Sequence, residues 1–260
     1  MTALINLIMM EENKIVEKTE KIAILIPAYN EEKYIEGVIL ECLKYNLDIV
    51  IVDDGSKDST KEIIKKFLKK TGQNIPNIIL LEHTVNRGKG EALKTGFNYA
   101  KEKNYKGVIT IDADGQHRVS EIRNFINEVE SSEPDIIVGS RFQNVKGMPF
   151  IRLATNFITS WIISLIAGKK INDVQSGFRY IGKKFLENIK LETKNFDTEP
   201  EILLKAGWHN YVIKNISITT IYHKNFISHV NPVKDTIKFF KLVFVSIYWK
   251  IKFMRSHTRL

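Results

Sequence analysis

The sequence predicts an α/β fold built on a mainly parallel sheet with helices on both faces. Three observations lead there. Short apolar runs recur through the first half of the chain, as strands buried on both faces require. Stretches of helical period fill the intervals, and strands alternating with helices give parallel pairing. Acids and turn-forming residues directly follow several of the runs, at the strand ends where such sheets open their ligand crevice.

The first run is Lys21–Pro27 (KIAILIP); Asp48–Val52 (DIVIV), Asn77–Leu81 (NIILL), Gly107–Ile111 (GVITI) and Asp135–Val138 (DIIV) follow. Between the first two, Glu32–Tyr45 sets Ile35, Val38, Ile39, Cys42 and Leu43 on one helical stripe. Ser59–Lys70 does the same with Ile63, Ile64, Phe67 and Leu68, and Gly90–Lys103 and Ser120–Ser131 continue the series. Beyond about Gly139 the pattern loosens. Asn156–Ala167 (NFITSWIISLIA) is uncharged and apolar nearly all round, which suits a buried core helix or a membrane-facing one. Ile216–Tyr222 (ISITTIY) alternates as a strand does. Thr236–Met254 mixes aromatic residues with Lys238, Lys241, Lys250 and Lys252, the composition of an interfacial helix on an anionic membrane.

At 260 residues and 43% hydrophobic content, the chain can bury one sizeable core but not two domains of ordinary size. The expected organisation is an N-terminal tail over 1–20, one domain over 21–232, and a C-terminal amphipathic segment over 233–260. The run Ala3–Met10 lacks the basic start and small-residue cleavage site of a signal peptide. Lys and Arg number 39 against 30 Asp and Glu, a formal charge of +9, which favours an anionic partner. Cys42 is the one cysteine, so no intramolecular disulfide can form, as fits a reducing compartment. No stretch offers the roughly 18 charge-free apolar residues of a spanning helix. The expected location is the cytoplasm, or the cytoplasmic face of a membrane.

The sharpest chemistry lies at the strand ends. Asp53-Asp54-Gly55-Ser56 follows the second run, and Asp112-Ala113-Asp114-Gly115-Gln116-His117 the fourth. Turn chemistry and helix capping account for Ser56–Thr60, but not for adjacent acids directly after an apolar run. In an extended segment, residues i and i+2 point the same way, so Asp112 and Asp114 can reach one cation. Oxygen donors suit Mg²⁺ or Mn²⁺, which commonly bridge carboxylates to phosphate oxygens. Gly88-Lys89-Gly90 lacks the spacing of a Walker A loop.

The motifs PAYNE (27–31), VDDGSKDST (52–60), NRGKGEALKTGF (86–97), DADGQH (112–117), GSR (139–141) and DVQSGFR (173–179) stand in one order. That set resembles the family 2 glycosyltransferases of GT-A fold, specifically the branch acting on dolichyl and other polyprenyl phosphates. The resemblance spans about Lys21 to Pro232. It implies that Pro27, Ala28, Tyr29 and Glu31 hold the nucleotide base and ribose, with Val52 and Asp54 at the base. It implies a metal on Asp112 and Asp114, with Ala113 between them at the donor and Gln116 near the metal. It also implies that Gly88-Lys89-Gly90 lies near the donor diphosphate, with Lys89 as a contact. Arg141 matches an arginine near the diphosphate and acceptor, and Arg152, in MPFIR, a basic residue of the acceptor loop. Ser228-His229-Val230-Asn231-Pro232 resembles a loop with Lys or Arg at the second position; His229 departs from it. The Gln-x-x-Arg-Trp motif of processive synthases is absent, which argues for one transfer per substrate.

A nucleotide-diphosphate leaving group gains negative charge as the glycosyl bond breaks, and a cation on Asp112 and Asp114 with Arg141 beside it would stabilise that charge. A sugar hydroxyl as acceptor needs a base, and Asp173 leads the candidates, ahead of Glu199 and Glu201. A lipid phosphate is already ionised and needs orientation only, for which Arg141, Arg152, Arg179 and His229 are available. The favoured reading is therefore metal-dependent, inverting transfer of one sugar to polyprenyl (dolichyl) phosphate at a membrane surface. A saccharide or glycan acceptor is the alternative. A sugar-phosphate nucleotidyltransferase would need a Gly-rich basic loop where Tyr29-Asn30-Glu31 stands. A non-catalytic or nucleic-acid-binding module would leave the carboxylates at 53, 54, 112 and 114 without a task, so no nucleic acid is expected as partner.

Overall fold

The computed structural model describes residues 22–68, 77–142, 150–195, 197–221, 243–251 and 253–254. Seven strands form one sheet: β1 (Ile22–Ala28), β2 (Asp48–Asp53), β3 (Ile78–Glu82), β4 (Gly107–Thr110), β5 (Ile136–Ser140), β6 (Arg179–Gly182) and β7 (Ile213–Ser217). Their spatial order is β3-β2-β1-β4-β6-β5-β7. Only β6 runs against the rest; the β1–β2, β2–β3, β1–β4 and β5–β7 pairs are parallel. The helices are α1 (Ile35–Cys42), α2 (Thr60–Leu68), α3 (Lys89–Glu102), α4 (Ile122–Ser132), α5 (Phe150–Ala167), α6 (Lys183–Asn188) and α7 (Thr198–Trp208). Short 3₁₀ turns lie at Leu43–Tyr45 and Val119–Glu121. Residues 243–251 are also helical.

The expected α/β sheet is what forms, and strand periodicity explains its layers. Successive side chains of a strand point to opposite faces. Ile24, Ile26, Ile49 and Ile51 accordingly join a core with α1, α2 and α4, through Ile35, Ile39, Ile64, Phe67, Phe125 and Ile126. Ala23, Leu25, Val50 and Val52 face the other way and meet α3, α5, α6 and α7, through Leu93, Phe97, Ile163, Phe185 and Leu203. All seven residues of β1 are buried, as befits the strand flanked by parallel neighbours on both sides.

Register sets up the site. Ala28 pairs with Asp53, and Leu25 with Thr110, so the chain leaves β1, β2 and β4 at one edge. Residues 28–31, 53–54 and 112–114 emerge there together. The antiparallel β6 reads the opposite way: Thr110 pairs with Arg179, which brings Gly177 level with Asp112.

Two expectations change. The alternating strand expected at Ile216–Tyr222 lies earlier, at Ile213–Ser217, with Thr220 forming a lone bridge to His117; Tyr222 is outside the described residues. Asn156–Ala167 is part of α5, and it divides. Ile163 and Ala167 enter the core, while Phe157, Ile158, Trp161 and Leu165 are exposed. The helical residues 243–251, 253 and 254 divide likewise. Trp249 packs on the core and Phe253 on Trp208, leaving Phe244, Ile247, Tyr248, Ile251 and Met254 exposed. Both helices meet α7 at Trp208, whose indole N–H donates to Ile166 O at 3.0 Å. No helix among the described residues is long and apolar enough to cross a membrane.

Candidate active site

A cleft of about 400 Å³ opens at the carboxyl edge of β1, β2 and β4. Pro27, Ala28, Tyr29, Glu31, Asp54, Lys89, Ala113, Asp112 and Asp114 line it. The expected donor-binding residues thus converge on one cavity, with one exception: the Val52 side chain packs in the core behind it. Asn86, Gly88, Ala92 and Asn195 complete the wall. Asn86 opens the NRGKGEALKTGF motif without having been singled out, and Asn195 is a lone carboxamide that no sequence signal marks.

Much of the motif sequence staples the edge rather than facing the cavity. Asn30 N donates to Ser56 Oγ at 3.0 Å, and Lys57 N to Asn30 Oδ1 at 2.8 Å. Glu31 N donates to Thr60 Oγ1 at 2.7 Å, and Ser59 N to Glu32 Oε2 at 3.0 Å. Asp58 Oδ1 accepts the Thr60 amide at 3.0 Å and holds the start of α2. The loops after β1 and β2 are thereby one unit. Asp53 is buried and does not line the cleft.

Asp54 anchors a third loop. Its Oδ1 accepts the Arg87 amide at 2.9 Å and lies 2.6 Å from His83 Nδ1; its Oδ2 accepts the Gly88 amide at 2.8 Å. His83 Nε2 reaches Thr95 Oγ1 at 2.9 Å on α3. Gly88, at φ +95°, leads into α3, a backbone shape that favours glycine. Asp54 therefore fixes the wall that carries Lys89.

Three carboxyls crowd the centre. Asp112 Oδ1 lies 2.7 Å from Lys89 Nζ, and its Oδ2 3.6 Å from His117 Nε2. Burial would raise the Asp112 carboxyl, but Lys89 and His117 outweigh it and hold it well below the usual range. Asp114 accepts from its own turn, Gln116 N at 3.0 Å and Gln116 Nε2 at 2.8 Å. Burial and the Asp112 charge raise it. Glu31 is pushed up to about 7 by burial and then by Asp114 and Asp112. Gly177 supplies the space: a Cβ there would collide with both Asp112 oxygens.

This donor set fits a hard divalent cation. It offers two ionisable carboxylates two residues apart, where burial and then their negative charge raise the neighbouring Glu31 carboxyl. No three His, Cys, Asp or Glu side chains among the described residues form a ready-made metal cage. A cation held here would take its remaining ligands from substrate phosphate and water. The Glu31 shift gives a test of the crowding. The unfolded carboxyl ionises near 4.5 and the folded one near 7, so folding binds a proton between those values and stability falls as pH rises through that window. Glu31→Gln should be about 1 kcal/mol more stable than wild type at pH 8, after allowance for half-burial, and equal at pH 4. Urea unfolding at the two pH values checks it; no difference at pH 8 would discount the repulsion.

The remaining expected residues separate. Arg141 and Asp173 are buried against each other, with Nε–Oδ2 at 2.7 Å, Nη2–Oδ1 at 2.9 Å and the Arg141 amide on Oδ2 at 3.2 Å. Burial would raise Asp173, but Arg141 outweighs it and holds the carboxyl below its ordinary value. To act as the base expected of it, Asp173 would first have to part from Arg141. Arg179 is fully buried, and its guanidinium donates to the carbonyls of Ser176 at 2.8 Å, Glu199 at 2.7 Å and Val174 at 2.5 Å. It ties Val174 and Ser176 to Glu199 through their carbonyls. Glu201 is likewise committed, to the amides of Glu192 and Thr193 and to Lys205. Glu199 alone among the candidate bases reaches the cleft, through Lys89 Nζ at 2.7 Å. Arg152 lies in α5 with its side chain outside the described set, and His229 lies outside the described residues altogether.

The family model of glycosyl transferase family 2 matches residues 23–198. A UDP-N-acetylglucosamine–dolichyl-phosphate N-acetylglucosaminyltransferase of Methanococcus voltae is 35% identical over 215 residues, covering 77% of this chain and 86% of that protein. A dolichyl-phosphate beta-glucosyltransferase of Dictyostelium discoideum is 28% identical, covering 89% and 77%. Among solved structures, a mannosyltransferase of Pyrobaculum calidifontis in complex with GDP-mannose and Mn²⁺ matches with a TM-score of 0.53 at 15% identity, covering 86% of this chain and 69% of that one. That likeness bears on the fold. The chain belongs to glycosyl transferase family 2 and is a glycosyltransferase.

Proposed function

We propose that this enzyme moves one glycosyl unit from a nucleotide-diphosphate sugar, held with Mg²⁺ or Mn²⁺ at Asp112 and Asp114, to the phosphate of a polyprenyl lipid. The convergence of the 27–31 segment, Asp54, Lys89, Asp112 and Asp114 on one cleft carries the donor half. The acceptor half draws on the two relatives, which share dolichyl phosphate in their names and differ in the sugar. The engaged state of Asp173 and Glu201, and the pairing of Glu199 with Lys89, support it as well: an ionised phosphate needs no proton removed. Gln116 orients Asp114, and Lys89 lies where a leaving diphosphate would develop charge. A bound divalent cation would supply Lewis-acid stabilisation of that charge. The Mn²⁺ in the Pyrobaculum structure supports such a cation. Arg141 and the expected Arg152 and His229 are the basic groups proposed to orient the acceptor.

A polyprenyl tail stays in the bilayer, so the enzyme would work at a membrane surface. The outward faces of α5 and of the helical residues 243–251, 253 and 254, both of which meet α7 at Trp208, are the proposed contact, consistent with a location on the cytoplasmic face. Trp161 is 59% exposed and Tyr248 64%. Inserting either ring into an interface is worth about 1.5–3 kcal/mol, or at least tenfold in binding. Trp161→Glu and Tyr248→Glu should each weaken sedimentation with anionic vesicles at least tenfold. Transfer to vesicle-borne polyprenyl phosphate should fall with it, while donor hydrolysis stays unchanged. Equal vesicle binding would refute the surface. Preference for a soluble sugar acceptor over any polyprenyl phosphate would refute the acceptor.

A further inference from the structure

Asp112 already has a cation at contact distance. Lys89 Nζ lies 2.7 Å from Asp112 Oδ1 and 2.7 Å from Glu199 Oε1. The three groups come from separate elements: the first turn of α3, the segment after β4 and the first turn of α7. Each is fixed from behind. Asp54 holds the Gly88 amide, and Glu91 N donates to Lys194 O at 3.2 Å. A Cβ on Gly90 would collide with Thr198 Oγ1, so α3 is seated directly on the start of α7. Gly177 fixes the Asp112 side. Yet the ion pair is not shut away in the core: Lys89 and Asp112 line the cleft beside Asp114 and Glu31.

A divalent cation and an ammonium cannot both sit against the same carboxylate in a half-buried site without strong repulsion. One must withdraw, and only the lysine has a flexible stem. We propose that Lys89 is a resident counter-ion, which holds Asp112 in the nucleotide-free enzyme, yields it to the divalent cation, and turns to the incoming diphosphate. This rests on the reading that Asp112 and Asp114 hold the cation. The consequence is thermodynamic coupling. The cation alone must take Asp112 from Lys89 and leave the ammonium to Glu199 beside the new charge, so it binds more weakly than it would without the lysine. With a diphosphate present the displaced ammonium gains a further anionic partner, so each ligand strengthens the other. Sugar donors are then engaged as the cation complex, and the free ions are resisted.

The test measures Mn²⁺ binding by electron paramagnetic resonance, with and without UDP or GDP, in wild type, Lys89→Met and Asp114→Ala. Lys89→Met should bind Mn²⁺ alone at least tenfold more tightly than wild type. The factor by which the nucleotide strengthens Mn²⁺ binding should shrink at least tenfold. Equal Mn²⁺ affinity, or undiminished coupling, in Lys89→Met overturns the proposal. If Lys89→Met does not fold, the wild-type protein answers by itself: saturating Mn²⁺ should speed reductive methylation of Lys89 severalfold, read by peptide mass mapping, and an unchanged rate overturns the proposal. Asp114→Ala separates the two levels. If it binds Mn²⁺ as wild type does, the cation site falls and the proposal with it. If it loses Mn²⁺ while Lys89→Met matches wild type, only the role of Lys89 falls.

Discussion

Asp114→Ala should lower sugar transfer at least a thousandfold while leaving the protein folded. The expectation follows from how differently the two aspartates are held. Asp114 takes its hydrogen bonds from Gln116 within the same turn, and burial and the Asp112 charge already disfavour its ionised form. Deleting it therefore relieves repulsion and severs no link between elements. A cation that neutralises a leaving diphosphate is worth several kcal/mol in the transition state, and about 4 kcal/mol is a thousandfold in rate. Asp112→Ala would be a poorer test, because that carboxylate also meets Lys89 on α3 and His117 farther along its own loop, and its loss would disturb the cleft. Circular dichroism and thermal melting establish the fold of Asp114→Ala, and transfer is measured across a Mn²⁺ series. Activity within tenfold of wild type, or activity of the wild type in EDTA, would remove the cation from the mechanism.

The same contrast shows what is legible in the sequence. Asp112 and Asp114 stand out because a polar pair directly after a buried strand has no packing reason to be there, and parallel register then brings them to the ends of β1 and β2. The apolar strands read clearly for the same reason: both faces are covered, so each run is continuous. Strand β6 escapes notice because it is four residues long and begins with Arg179, whose buried guanidinium conceals a core position behind a charged letter. The start of α1 falls at Ile35 instead of Glu32; Glu32 is engaged with Asp58 and Ser59 of the loop after β2, a tertiary demand that helical period does not encode. Pairings are the least legible. Nothing in DVQSGFR announces that Asp173 is the partner of Arg141, 32 residues away, and Asn195 stands in no motif at all.

That hidden pair makes the second large expectation. Asp173→Asn should lower stability by about 3–5 kcal/mol at pH 7, the usual cost of stranding one member of a buried ion pair. For a chain of this size that is a fall of about 10 °C in melting temperature. The carboxylate is 1% exposed and accepts from Arg141 Nε, Arg141 Nη2, the Arg141 amide and the Gln175 amide. An asparagine keeps the shape but turns an N–H₂ toward the guanidinium, leaving a buried cation without its counter-charge. The pH dependence has a definite sign. Asp173 is depressed in the fold relative to 3.8, so its stabilisation is present above that value and disappears as pH falls through the lower folded value. Wild type and variant should therefore differ most at neutral pH and converge in acid. Removing both charges in Arg141→Met/Asp173→Leu should recover part of the loss, since the pair is coupled and a packed apolar pair carries no desolvation cost. Transfer separates this role from catalysis. A general base would leave stability untouched and flatten the acid limb of the rate profile, whereas the bracing role predicts a destabilised protein whose remaining activity keeps the wild-type pH profile. Unchanged urea midpoints at pH 7 would overturn the bracing role and return Asp173 to the candidates for the base.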